Sequence, residues 1–269
     1  MTIRIHVTLW LMKLLSVSAD AKTIKGQKKG YLTGILYLAP ADESVSSGGF
    51  NTCPKASAGC KAGCLFTAGR SAIFPMINQA RIRKTVELKN DRTAFLSQLT
   101  KDIQALVRKA KREKLTPCVR VNGTSDLPFL AHAMADRFPD VTFYDYTKLP
   151  HPWTRIRANY SLTFSHAENN LADCLDSLAH GVNVAVVFGT KKGEPLPATW
   201  HGFPVVSGDE SDLRFLDSTG VVIGLYAKGK AKQDATGFVE RQGLVSILPM
   251  AAKASQVLGA FSGWAKRVN

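Results

Sequence analysis

The stretch NTCPKASAGCKAGCLFTAGR, residues 51–70, carries three of the chain's five cysteines in the pattern C-x6-C-x3-C. Cys53, Cys60 and Cys64 are soft donors of the kind that hold zinc or an iron–sulfur cluster. Pro54, Gly59 and Gly63 let the backbone wrap closely around a bound centre. Three thiolates rather than four leave one coordination position open, which suits a reacting centre better than a purely structural one. Two chemistries follow. A [4Fe–4S] cluster on three cysteines has one iron free to chelate the amino and carboxylate groups of S-adenosylmethionine. Alternatively, a distant histidine completes a zinc site, with His151, His166 and His201 as candidates.

Other polar words fall where apolar runs end. NGTSD brings Asn122, Gly123, Ser125 and Asp126, and DYTK brings Asp145 and Lys148. SHAENN brings His166, GDESD brings Asp209, Glu210 and Asp212, and AKGKAK brings Lys228, Lys230 and Lys232. Asp126, Asp145 and His166 are the candidate acid–base groups. Lys228 and Lys230, with Gly229 between them, suit contact with phosphates. The acidic word suits a divalent cation. Cys118 and Cys174 sit in strand and helix patterns and read as core thiols.

The elements that must position these residues alternate. Apolar runs at Tyr31–Pro40, Thr116–Val121, Val141–Thr147, Tyr160–Ser165, Val182–Gly189 and Gly220–Lys228 read as strands. Helical spacing appears over 75–89, over 91–114 with Asp91 as cap, and at 129–138, 153–158 and 170–180. Such alternation predicts an α/β fold, a complete or partial parallel β/α barrel, with an open doubly wound sheet as the alternative. In either, ligands gather at the carboxyl ends of the strands, where the polar words lie. The expected organisation is an extension and basic segment at 1–27, a barrel-like domain at 28–245 with its cysteine loop at 51–70, and a C-terminal helix at 246–269.

Composition narrows the partners. With 35 basic and 21 acidic residues, the 269-residue chain carries +14 and favours an anionic partner, nucleic acid or a nucleotide. No run is apolar enough for a membrane span. An odd number of cysteines argues against a secreted disulfide framework and for a reducing cytoplasm. Met12 opens a plausible start of its own, so the first eleven residues read as an upstream extension.

TCPKASAGCKAGCLFTAGR, QARIRKT and VRVNGTSD resemble the phage and plasmid proteins of the gene product 88 family, as do GLYAKGKA and GFV, over about residues 28–242. That resemblance implies a phage or mobile-element origin, and hence the cytoplasm of an infected host cell. More distantly, the arrangement is similar to radical S-adenosylmethionine enzymes, which carry three cluster cysteines in the loop after the first strand of a partial barrel. Their common spacing is C-x3-C-x2-C, and a glycine-rich turn stands where this chain has NGTSD. The likeness implies cluster binding by Cys53, Cys60 and Cys64, with Asn122, Gly123 and Ser125 beside the cofactor and Asp126 a polar contact there.

The sequence therefore points to a phage-type metal- or [4Fe–4S]-dependent enzyme acting on a nucleotide or nucleic acid, DNA modification included. Two other readings stand beside it. One is a zinc-dependent barrel of the nucleobase-transglycosylase kind, with Asp126 or Asp145 as nucleophile. The other is a non-catalytic protein that binds nucleic acid or a host protein and uses a metal to staple its loop.

Overall fold

The computed structural model describes residues 13–18, 21–67, 69–191 and 193–241. The expected C-terminal helix at 246–269 and the expected upstream extension, residues 1–11, lie outside them.

Ten strands form one sheet. They are β1 (Leu15–Val17), β2 (Tyr31–Leu36), β3 (Thr116–Arg120), β4 (Thr142–Thr147), β5 (Tyr160–Ser165) and β6 (Val184–Phe188), then β7 (Thr199–Trp200), β8 (Phe203–Ser207), β9 (Val222–Tyr226) and β10 (Val239–Glu240). The spatial order is β1-β2-β3-β4-β5-β6-β9-β8-β7, with β10 also on β6. Every pairing is parallel except β1 with β2 and β7 with β8. The sheet is thus α/β, mostly parallel and open. Its strands follow chain order from β1 to β6, without the central reversal that marks a doubly wound sheet. β5 pairs with the start of β6, at Val184 and Ala185, whereas β10 pairs with its end, at Val187 and Phe188. β10 therefore takes up β6 where β5 leaves it, at the carboxyl ends.

Helices α1 (Ala21–Gln27), α2 (Ala58–Ala62), α3 (Arg70–Ile73), α4 (Pro75–Asn90), α5 (Arg92–Glu113), α6 (Pro128–Arg137) and α7 (Leu171–Ala179) fill the connections. Asp91 caps α5 as its sequence position predicts, accepting from the Ala94 amide at 2.8 Å. The expected helix at 153–158 is only a 3-10 turn, Pro152–Arg155. Pro152 sets that turn's first φ, and its next residues serve as packing: Trp153 stacks on His180 with ring centres 3.8 Å apart. α1 and α2 were not foreseen, because each has too few apolar positions to show a helical period.

Alternate strand residues face two environments. One face is the apolar core: Leu32, Val119, Phe143, Phe95, Leu99, Ile103 and Leu130 are fully buried there, with α5 and α6 packed over it. Phe164, Val184, Val186 and Val222 continue that face under α7. The other face is more polar. It carries Cys118, Tyr144 and Tyr146, and Arg120 lies over the Tyr146 ring at 4.6 Å while bonding Asp212 at 3.1 Å. At the edge, β1 is pinned by Asp102, which accepts from the Leu14 and Leu15 amides, and by Lys84, which donates to the Leu14 carbonyl at 2.8 Å.

Candidate functional site

The cysteine loop lies between β2 and α4 and touches three other connections. At its start, the Cys53 thiol reaches the Thr124 carbonyl at 3.6 Å, and the Thr52 carbonyl accepts from the Asp126 amide at 2.8 Å. The NGTSD turn that follows β3 is thereby laid against the loop. Gly123 permits this contact: a Cβ there would stand 2.6 Å from Ile35 and 2.8 Å from the Leu36 carbonyl. Its amide donates to that same carbonyl at 3.0 Å.

In the middle of the loop, Ser57 caps α2, its hydroxyl accepting from the Cys60 amide at 3.1 Å. Glu168, from the connection after β5, accepts from the Ser57 hydroxyl at 2.6 Å and from the Gly59 amide at 2.8 Å. Partial burial alone would raise the Glu168 pKa, but these hydrogen bonds outweigh it and hold the carboxylate below its ordinary value. A Cβ on Gly59 would collide with Thr236 and Phe238, so α2 also rests on the connection before β10. Cys60 packs against Ala167, Ala231, Phe238 and Val239.

The loop then turns back to α4. Burial pushes the Cys53 thiol up to about 11, against the opposing hydrogen bonds, and raises Cys64 as well. The thiols lie close enough to influence one another, Cys64 with both Cys53 and Cys60. By residue type and by their place on one loop they fit a soft metal or cluster. They are not gathered into a ready-made ion site: among the described residues no group of three or more His, Cys, Asp or Glu side chains is so placed.

Around the loop stand the candidate acid–base groups. Asp126 Oδ2 accepts from the Lys148 amide at 2.8 Å and the Thr147 hydroxyl at 3.1 Å, and burial raises its pKa against those bonds. His166, 6% exposed, lies 3.4 Å through Nε2 from Glu240, and its buried Nδ1 has no hydrogen-bond partner among the described residues. Burial first, then the nearby Lys148, lowers its pKa to about 4, so the ring is neutral at pH 7. The structure thus brings Asp126, Lys148 and His166 to one end of the sheet beside the loop, with the Lys148 ammonium 3.4 Å from the His166 carbonyl.

Asp145 sits deeper. It is 1% exposed, with Oδ1 accepting from the Asn122 amide and Oδ2 from the Asn122 side chain and Tyr160. Burial pushes it up to about 7. Asn122 in turn accepts from Ser125 and from the Leu127 amide, so Asn122, Ser125 and Asp145 together fix the NGTSD turn.

The acidic word is engaged by bases: Asp209 bonds Lys228, and Asp212 bonds Arg120. Lys228 is therefore paired, while Lys230 lies exposed in the 3-10 turn Gly229–Gln233. His151 and His201 both have positive φ and contact Trp153 and Trp200 respectively. Sequence reasoning did not single out Glu168 or Glu240. Glu168 lay in view inside SHAENN, but nothing in one sequence shows which loop faces which.

The gene product 88 family matches residues 12–242, most of the length. This is a gene product 88 protein, as the cysteine, QARIRKT and VRVNGTSD words suggested. No curated protein and no solved structure matches it.

Proposed function

We propose that the protein is an enzyme whose cysteine loop binds a soft metal centre, a [4Fe–4S] cluster with S-adenosylmethionine, and whose substrate is a nucleotide or nucleic acid. The observation that carries this reading is the docking of Cys53 on Thr124, which joins the thiol loop to the turn after the next parallel strand. Both lie at the carboxyl ends, where sheets of this kind bind ligands. A partial barrel is the finer fold reading that goes with it, supported by strands that follow chain order.

Cys53, Cys60 and Cys64 would hold the centre, and binding would draw the three thiols together. Bound there, a cluster would supply one-electron reductive chemistry toward S-adenosylmethionine. The chain's own residues would do the rest. The turn of Asn122, Gly123 and Ser125, made rigid by Asp145, offers backbone and small polar groups to the cofactor. Asp126 and the neutral His166 hold or accept a proton beside it. Lys148, Lys228 and Lys230 bring positive charge toward phosphates.

A second reading has its own observation. Asp126 is held by one oxygen only among the described residues, which leaves Oδ1 for nucleophilic attack in a zinc-dependent transglycosylase-like enzyme. Anaerobic protein given reductant and S-adenosylmethionine separates the two. The first reading expects methionine and 5′-deoxyadenosine, abolished by Cys60→Ala. No cleavage by cluster-loaded protein contradicts it.

A further inference from the structure

A cavity of about 370 Å³ lies toward the end of the sheet opposite the cysteine loop. Its walls are the first residues of β4 and β5, those just before β6, and the connection that leads into β9. That volume is in the range of small-molecule sites. Two guanidiniums, Arg157 and Arg214, and one carboxylate, Asp217, are the charged side chains of the lining among the described residues. Arg214 opens the 3-10 turn Arg214–Leu216, which packs against β5, and is 5% exposed. Asn183 fixes the wall beyond that turn, donating to the Ser218 carbonyl at 2.7 Å and accepting from the Val221 amide at 3.1 Å.

The Arg214 guanidinium is poorly served for a buried cation. Its Nη2 donates to the Ser211 carbonyl. Its Nε lies 3.1 Å from Asp217 Oδ2 without hydrogen-bond geometry, and its Nη1 has no acceptor among the described residues. The Ser161 hydroxyl, in the same lining, is also buried without a hydrogen-bond partner there. So is the hydroxyl of Tyr144, which stands beside Ser161 in the pairing of β4 with β5. Buried polar groups normally find partners, and a buried charge needs them most. All three groups can donate, so the complementary group is an acceptor. Arg157 has only an exposed pair with Asp136 at 3.2 Å, a kind of contact that costs little to release. We propose that this cavity binds a small organic oxyanion, a carboxylate or a phosphate ester. Arg214 and the Ser161 hydroxyl take its oxygens, Arg157 adds positive charge, and Phe215 packs on its apolar part. Nη1 and the Ser161 hydroxyl are covered in this structure, so uptake includes a side-chain rotation that turns them to the ligand. The assignment does not rest on the metal reading, because these residues lie toward the other end of the sheet.

Phenyl phosphate and benzoate are the probes, with benzyl alcohol as the uncharged control, each titrated calorimetrically into the full-length chain at matched ionic strength. Wild type, Arg214→Met, Arg157→Met and Cys60→Ala are compared, with circular dichroism as the check on folding, and hydrogen exchange of wild type locates the bound probe. The expected result is binding of at least one anion, the tighter of the two telling phosphate from carboxylate, with protection over residues 156–163 and 214–219. Affinity should fall by about 10–100-fold in Arg214→Met, the loss of a charged hydrogen bond, and several-fold in Arg157→Met. Cys60→Ala should bind as wild type does. If Arg214→Met does not fold, Arg157→Met and the protection map decide in its place. Benzyl alcohol bound as tightly as the anions overturns the oxyanion. Unchanged affinity in folded Arg214→Met, protection confined to other segments, or no anion binding to folded wild type overturns the site.

Discussion

Burial moves Asp126 and His166 in opposite directions on the pH scale and toward the same outcome, a less charged side chain. For His166 the consequence for stability has a definite sign. Its folded pKa, about 4, lies below the ordinary 6.5, so the unfolded chain takes up the proton first. The contribution is complete above pH 6.5 and is lost as pH falls toward 4. By linkage the loss is at most about 3 kcal/mol. Replacing His166 by Gln should flatten the stability curve across that window, read by urea unfolding at pH 7, 6 and 5. An unchanged slope would mean that the ring is not held neutral. Asp145 is also buried, yet its two oxygens already serve Asn122 and Tyr160, which makes it a support for the NGTSD turn.

At the scale of elements, two latches hold the cysteine loop against its neighbours. Gly123 is the first. Gly123→Ala forces a Cβ to within 2.6 Å of Ile35, and overpacking of this order costs about 1–3 kcal/mol. Equilibrium unfolding should show that loss, and a neutral result would refute the close approach. Glu168 is the second latch. Its depressed pKa means that its contribution is present above the unfolded value, 4.5, and disappears as pH falls through the lower folded value. Because Glu168 is only partly buried, Glu168→Gln should cost only about 1 kcal/mol overall. It should nonetheless speed hydrogen exchange at the Gly59 amide several-fold, and unchanged exchange there would rule the latch out. Much of this frame was legible in the sequence. α4, α5 and α6 begin and end within a residue or two of their periodic patterns, and the strands from β2 to β6 stand where their apolar runs predicted. What was not legible depends on contacts between distant segments. Glu168 meets Ser57 across 111 positions, and the edge strand β1, three residues long, is fixed by Asp102. The 3-10 turn at Pro152 failed as a helix because a short apolar run says little about length.

For the molecule as a whole, parallel strands, a loop of thiols and a charge of +14 are the features that support the proposed site at the carboxyl ends and an anionic substrate for it. If the charge serves nucleic acid, binding to a DNA duplex should weaken steeply with salt, with a log–log slope near −0.9 for each phosphate neutralised. A slope near zero would remove nucleic acid from the account. The central claim is that the cysteine loop carries a cluster. The measurement that tests it most directly is the iron, acid-labile sulfide and zinc content of chain purified without oxygen, together with its absorption spectrum. The account predicts about four irons and four sulfides per chain, as one [4Fe–4S] cluster requires, and their loss in Cys60→Ala. Stoichiometric zinc without iron, or folded protein with no metal at all, would contradict it.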